Sequence, residues 1–476
     1  MQQPDEVLEL LQARGQEKSV HYTTEVLEPS TQSSQFIRFQ IPAKGILQAG
    51  SKVILPLYAS NATSSLSMYG GAFGLIKNIT LSVNGGQIIQ TSRANFLMAL
   101  RESYKDMDKR EKVSQFTNGS WNVWKYEQQT APALNGKFAI KTLDPDGNRP
   151  QRHRMPSGLS ANTAPEYCIS LKQMFPEFDT SLPLFCMGQV ELLIELADNR
   201  EVCVATDGNN ANIGTISVDS ANTKFVSDHL YYDQDTMNRL RALTETAQGL
   251  VIPFGQYSTV ELSLAGGTPV GPAIELEKTF QRTLGFNNTR IQHILICKNQ
   301  DTASNNNAQK VGGVYCTAPD FAGSKSESIQ LQINNINYYN TPLVNNHYAR
   351  ELSDVFGVMP KNSYPLMTAI GSRNTGALGT ANNRNGRNNV LLSTNAVMGG
   401  AVDQTNLMAS QQYIGINFAH QRINNGSNGV MVSDAPINFT YVKKFVADDT
   451  ENMSMKMFVC VSRLGSIQRG NFVANY

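Results

Sequence analysis

Glu191 and Glu195 come closest in this chain to a spacing that could do catalysis. They lie on the same side of a β-prone run, QVELLIELA from Gln189 to Ala197, and two carboxylates on one face can serve as the acid and base of glycosidic cleavage. The same placement suits a solvated strand face or an ion pair with a neighbouring domain. Paired surface acids are far commoner than catalytic dyads, so the second reading is the expectation. Trp121 and Trp124, and the pair Tyr338 and Tyr339, have the aromatic faces on which sugars or bases stack. On β-prone runs such residues more often fill a core or a subunit contact. Arg149, Arg152, His153 and Arg154 form a basic cluster broken by Pro150 and Pro156, which reads as a solvated loop. The six histidines are scattered, whereas a metal site needs several converging donors. No phosphate-cradling Gly-rich loop, His-Glu-x-x-His pair or Gly-x-Ser-x-Gly elbow occurs. The sequence therefore assigns no catalytic, cofactor-binding or metal residue, and the chain reads as a non-enzyme that needs no cofactor.

The elements that carry these residues belong to a folded chain of 476 residues, 41% hydrophobic and 17% charged. Single cores stop growing near ~250 to 300 residues, so two domains are expected. A net charge of +1 lacks the basic surplus of a protein that neutralises many phosphates, and direct, sequence-specific nucleic-acid binding is not expected. Cys168, Cys186, Cys203, Cys297, Cys316 and Cys460 form no CxxC pair, so reduced thiols in an intracellular folding compartment are the expectation. The start, MQQPDEVLELLQ, is acidic and interrupted by Glu6 and Glu9, unlike a signal peptide. No apolar run approaches the ~18 residues of a membrane span.

Residues 5 to 13 have helical spacing but are too short for a helix stable on its own, and two outcomes stay open: packing on a neighbour or fraying. From Gln35 the chain alternates in short β-prone runs. Ile79 to Val83, Asn84-Gly85-Gly86 and Gln87 to Ile89 predict a hairpin whose turn tolerates positive φ. Val190, Leu192, Ile194 and Leu196 predict a strand with one buried face; Glu201 to Ala205 and Val226 to Tyr232 predict further strands. The period then changes. Asp233 or Asp235 can cap a helix through about Gln248, with Met237, Leu240, Leu243 and Thr244 on one face and Gly249 at its end. Strands are predicted again at Leu250 to Phe254, Ser258 to Leu264, Thr289 to Cys297, Ser328 to Tyr339, Tyr413 to Phe418, Ile437 to Phe445 and Met455 to Arg463. Asp301 to Lys310 and Arg373 to Asn389 read as long exposed loops at one end of the second unit.

An internal self-match organises this pattern. Ile79, Leu81, Val83, Asn84, Thr91, Asn95 and Ala99 correspond to Ile329, Leu331, Ile333, Asn334, Thr341, Asn345 and Ala349 at a constant offset of 250 residues. Alternating apolar residues match by chance, but Asn, Thr, Asn and Ala extend the agreement. Both halves then carry one strand–turn–strand–short-helix unit. The fold expected is all-β: two tandem eight-stranded jelly-roll barrels joined by a short helix. The expected divisions are 1–20 as an N-terminal arm, 21–232 as the first barrel, 233–249 as the linking helix and 250–476 as the second barrel.

Against this layout the chain resembles the double jelly-roll major capsid proteins of eukaryotic double-stranded DNA viruses, the group of nucleocytoplasmic large DNA viruses, virophages and Polinton-like viruses. The resemblance is carried by Gly74-Leu75-Ile76-Lys77 leading into ITLSVNGGQII, and by Ile169-Ser170-Leu171 through Phe175, similar to the family's aromatic-bearing strand. It continues through Leu182-Pro183-Leu184 and QVELLIEL, through Tyr231-Tyr232-Asp233 before the linking helix, and to the tail MFVCVSRLGSIQRGNFVANY. It spans about residue 35 to the end. Asp233-Gln234-Asp235-Thr236 departs from the acidic and arginine-rich helix starts common in the family. The resemblance implies a homotrimeric, pseudo-hexagonal capsomer that self-assembles into an icosahedral shell and resides in the virion. The partners it implies are other copies of the chain, penton and minor capsid proteins and, as an option, an internal membrane. Residues 1 to 20 become a candidate clamp, and the two long loops part of an outer turret. The rival readings are a glycan-binding or glycan-processing double jelly roll, because fold does not dictate function, and a non-virion scaffold. Interface residues are not assigned by the sequence.

Overall fold

Strict alternation in the first half of the chain produces eight main strands: β1 (His21–Leu27), β2 (Phe36–Ile41), β3 (Lys52–Ala59), β4 (Ile76–Val83), β5 (Gly86–Ser92), β6 (Glu166–Ser170), β7 (Val190–Leu196) and β8 (Lys224–Tyr231). They hydrogen-bond into two sheets, ordered β1-β8-β3-β6 and β2-β7-β4-β5. Eight more follow: β9 (Leu250–Leu264), β10 (Leu276–Leu284), β11 (Thr289–Gln300), β12 (Ser326–Ile333), β13 (Ile336–Asn337), β14 (Tyr413–Asn417), β15 (Ile437–Phe445) and β16 (Met453–Gln468). Their sheets run β9-β16-β11-β14 and β10-β15-β12-β13. Adding eight to every strand of the first pair of sheets yields the second pair, so the chain is two jelly rolls of one topology, as the internal repeat predicts. A further strand, β17 (Asn471–Asn475), pairs with β16. The computed structural model describes residues 21–59, 64–66, 71–103, 126–127, 141–142, 166–178, 181–198, 203–205, 216–265, 276–286, 288–300, 326–344, 351, 355, 413–418, 429–433, 436–445 and 453–475.

The cores follow from the period of two. In the first barrel Leu192 of β7 sits in register between Phe39 of β2 and Leu81 of β4, and all three are buried. Val53, Leu55 and Leu57 of β3 and Phe225 of β8 are buried in the same core, with the Phe39 and Phe225 rings 5.6 Å apart. In the second barrel Ile329 and Leu331 of β12 pair with Tyr441 and Phe439 of β15, and share their core with Ile294, Ile296, Met457 and Val459. Each such side chain contributes about 1.5 to 3 kcal/mol when fully buried. Interleaving two inner faces this way leaves one stable register per strand, because a slip of one residue would turn every apolar side chain outward.

The repeat's asparagines are turn residues. Asn84 and Gly85 have φ of 48° and 79°, and Asn334 and Asn335 have φ of 53° and 63°, the paired positive values of a tight hairpin turn between twisted strands. Each asparagine also holds the strand beside it: Asn84 Oδ1 accepts from Gln189 N at 3.0 Å and Asn334 Oδ1 from Ser433 N at 3.2 Å. Thr91 is buried whereas its counterpart Thr341 is exposed; Asn345 and Ala349 lie outside the described residues.

Several expectations are corrected by the structure. Residues 328–339 are not one strand but a hairpin, folded at Asn334-Asn335. Leu250–Phe254 and Ser258–Leu264 are one continuous strand, which contains Pro253 and runs on through Gly255, Gln256 and Tyr257. Proline is tolerated there because β9 pairs on one side only, with β16. The run 169–175 is strand only to Ser170. There a capping box between Ser170 and Gln173 starts a short helix, Leu171–Met174. The linking helix, Gln234–Thr244, is capped by Asp233, whose carboxylate accepts from Thr236 N at 2.7 Å, and it ends short of Gln248. Leu240 and Thr244 are buried and Met237 and Leu243 pack on the first core, the face predicted from spacing.

Candidate functional site

Among the described residues, the groups singled out for chemistry are held in structural contacts. Glu191 forms an ion pair with Arg38 of β2 at 3.0 Å, and Glu195 accepts from Asn78 Nδ2 of β4 at 2.6 Å. The two carboxylates face outward from β7, but each is tied to a different neighbouring strand. Tyr338 lies edge-on to Tyr339 and Phe418 at 4.8 and 4.9 Å and donates to Asn417 O at 3.1 Å, so it packs against the second core. Burial pushes the Tyr338 phenol up to about 12. Cys168, Cys186, Cys297 and Cys460 are free thiols. No cluster of three or more metal-ligating side chains occurs among the described residues, and no helix there is long and apolar enough to cross a membrane. Trp121, Trp124, the 149–154 basic cluster, the loops 301–310 and 373–389, Cys316 and residues 1–20 lie outside the described residues.

What the fold builds instead is a seam between its two barrels. Helix α1 (Ala94–Ser103) follows β5, and its Phe96, Leu97, Ala99 and Leu100 pack on the outer face of the β9-β16-β11 sheet, against Tyr257, Phe458, Cys460, Leu295 and Cys297. The alternation of β16 explains the double duty of that sheet. Met455, Met457, Val459 and Val461 point into the second core, while Phe458 and Cys460 point at the first barrel. Lys456, on the same outward row, places Nζ 4.3 Å from the Phe96 ring centre, a cation–π contact. Thr259 Oγ1 donates to Ser92 O at 2.8 Å, and Arg93 pairs with Glu261 at 2.6 Å across the same boundary.

A polar network crosses the apolar seam. Arg101 Nη1 donates to Glu177 Oε1 at 2.7 Å and to Tyr257 Oη at 2.9 Å, Tyr257 lies 3.1 Å from Glu177, and its hydroxyl is 2.7 Å from His293 Nε2. Burial drives the His293 pKa down to about 4, with Glu177 opposing and Arg101 reinforcing the shift. Burial also works to raise Glu177, but the Arg101 charge and the hydrogen bonds from Arg101 and Tyr257 outweigh it and hold the carboxylate below its usual range. Neutral imidazole, ionised Glu177 and charged Arg101 satisfy one another if Tyr257 donates to Glu177 and accepts from Arg101 and His293. Gly255 admits this arrangement: its N donates to Glu177 O at 3.0 Å, and a Cβ there would stand 2.6 Å from Glu177 Cβ.

The chain's end adds a second tie. Gly188 N donates to Gly470 O at 2.7 Å, and Asn84 Nδ2 reaches Asn471 Oδ1 at 2.9 Å. Phe472 and Ile467, with Leu250, Ile252 and Phe254, are buried in the first barrel's core cluster. The two barrels therefore share apolar surface as well as a backbone.

Two barrels of one strand order joined through such a seam define the double jelly-roll class. Comparison with solved structures agrees. The chain matches the PBCV-1 virus capsid with a TM-score of 0.57 at 11% identity, covering 97% of this chain and 98% of that one. It matches the mavirus major capsid protein at 0.54 and 10%, covering 95% and 90%, and the Faustovirus major capsid protein at 0.53 and 11%, covering 94% and 91%. No protein-family model and no curated protein matches the chain. At such identities the likeness is one of fold, and it extends over both barrels.

Of the seam's polar residues only His293 is marked in the sequence, as one of six scattered histidines. Arg101, Glu177, Tyr257 and His293 stand on four separate segments, and no short motif joins them. The usable signal was Gly255 inside a β-prone run, which marks a close backbone approach.

Proposed function

We propose that this chain is a structural capsid protein, whose working unit is a trimer offering six similar barrels to a near-hexagonal lattice. The observation that carries the reading is the end-to-end match to capsid chains, both barrels included, at 97% of this chain and 98% of the PBCV-1 chain. The seam supports it physically. A lattice unit must keep its corners at fixed angles, and the α1 packing with the Arg101–Glu177–Tyr257–His293 network locks two corners together within one chain. In this reading residues 21–232 and 250–476 are the two domains and 233–249 is their link. Contacts within the trimer are large and well packed. Contacts between trimers are smaller, so that misplaced units leave before a shell closes. Penton and minor capsid proteins, an internal membrane beneath the shell, and residues 1–20 as a clamp to a neighbour complete the proposal. The test is electron microscopy of the purified, concentrated chain across salt conditions. Sheets or shells with hexagonal order are expected; particles that never order into a lattice overturn the reading.

A further inference from the structure

The ribbon that closes the chain, β9-β16-β17, is apolar on both faces. Leu250, Ile252 and Phe254 of β9, Ile467 of β16 and Phe472 of β17 are buried in the first core. A ribbon wet on its other face would carry polar residues at the alternate positions. Instead Val251 stands in register with Ser466 and Ser466 with Val473, and in the next row Pro253 stands in register with Leu464. Residues in register share a face. Leu464 is 52% and Val473 43% exposed, two of the six large hydrophobics left exposed among the described residues. They are diagonal neighbours on adjacent strands, and Val251 and Pro253 extend the patch half-buried. Ser466 between them is buried and adds no polar surface. An apolar surface of this kind marks a contact.

The start of the chain emerges beside this patch. His21, the first residue of β1, pairs with Tyr231 at the end of β8, just before the Asp233 cap of the linking helix. The far end of that helix touches the ribbon: Arg469 N donates to Thr244 O at 3.2 Å, and Gln468 Nε2 to Gln248 O at 3.1 Å. The 11 residues of the helix rise about 16 Å, and residues 14 to 20 reach ~23 Å when extended. Residues 5 to 13 are thus within reach of the patch on their own chain.

Their composition fits it. On a helix Val7, Leu8, Leu10 and Leu11 lie on one side and Asp5, Glu6 and Glu9 on the other. Nine residues of helix are ~13 Å long, close to the ~10 Å width of three strands. So short a helix is unstable alone, and burial of its apolar side supplies what it lacks. Residues 5 to 13 contain no Lys or Arg, while Arg469 is exposed at the ribbon's turn.

We infer that residues 5 to 13 fold back as a short helix onto the outer face of the β9-β16-β17 ribbon, with Val7, Leu8, Leu10 and Leu11 against Leu464 and Val473. The docking needs one chain only and is independent of the capsid reading. Exchanged between adjacent copies, the same contact is the clamp proposed above.

Hydrogen exchange of the amides from 5 to 13 in the full chain tests the docking, with Leu464→Asp, Val473→Asp and the control Met431→Asp. Urea midpoints check folding, and serine replaces aspartate in any variant that fails that check. In wild type and the control these amides are expected to exchange about tenfold slower than in a free peptide of residues 1 to 20, and both ribbon variants to lose that protection. Unprotected amides in wild type overturn the docking. Protection that survives both ribbon variants places the segment elsewhere and overturns this surface. If the patch serves a second copy's ribbon instead, the amides are unprotected while Leu464→Asp lowers the solution mass, and the inference fails. Oxidative linking of Leu11→Cys to Val473→Cys, mapped by peptide mass spectrometry, is the direct reading. A link within one chain is expected in dilute protein, and none between Leu11→Cys and Met431→Cys. A link found only between chains overturns the fold-back. Lattice order, which decides the capsid reading, enters none of these outcomes.

Discussion

His293 is neutral in the folded chain because burial holds its pKa near 4, while in an unfolded chain the same imidazole takes up a proton near its ordinary value of 6.5. Stability from this group is therefore complete above about pH 6.5 and is lost as pH falls toward 4, by on the order of 3 kcal/mol. His229, buried in the first barrel, is shifted downward by burial too and adds to the same loss. Urea unfolding between pH 7.5 and 4.5 should record this slope, and His293→Gln should flatten it; equal slopes in the two proteins would refute the role given to His293. Tyr257→Phe removes the hydroxyl that Arg101, Glu177 and His293 share. It should cost about 1 to 3 kcal/mol, since it leaves polar partners unsatisfied in the seam. A change below a few tenths in the urea midpoint free energy would mean that water replaces the hydroxyl at no cost.

Single elements differ in how far the sequence disclosed them. The β4-β5 hairpin was legible because Ile79, Leu81 and Val83 alternate into Asn84-Gly85, and both the period and the turn chemistry are local. The linking helix was legible from Asp233 and the spacing of Leu240 and Thr244. Asp233→Ala should cost about 1 kcal/mol by loss of the cap, read as a lower melting temperature. The strand β9 was expected as two runs with a gap at Gly255, Gln256 and Tyr257; Gly255 continues the strand because it admits the approach of Glu177, and the edge position tolerates Pro253. Gly255→Ala should then cost about 1 to 3 kcal/mol, because its new Cβ meets Glu177 Cβ at 2.6 Å. An unchanged urea midpoint would show that the seam has room there. Of the seam only Gly255 left a local signal, since its members come together only once both barrels exist.

For the whole molecule, the 250-residue offset was the sequence feature that reached furthest: it pairs β4 with β12, and the strand order then repeats around both barrels. It could not say that the barrels differ in what covers them, and that difference separates a β5 edge beneath α1's neighbouring sheet from an open β13 edge. If residues 1–20 clamp neighbouring units, their deletion should leave the solution mass of the chain's assembly unchanged and reduce lattice formation seen by electron microscopy; full assembly without them would rule out the clamp. In the capsid reading one chain supplies two of six corners. Light scattering of the purified chain, with negative-stain images of the same peak, tests it most directly. About three chain masses and a hexagonal outline are the predicted result, because a closed cyclic trimer fits that lattice site. A stable monomer across salt and concentration would contradict it.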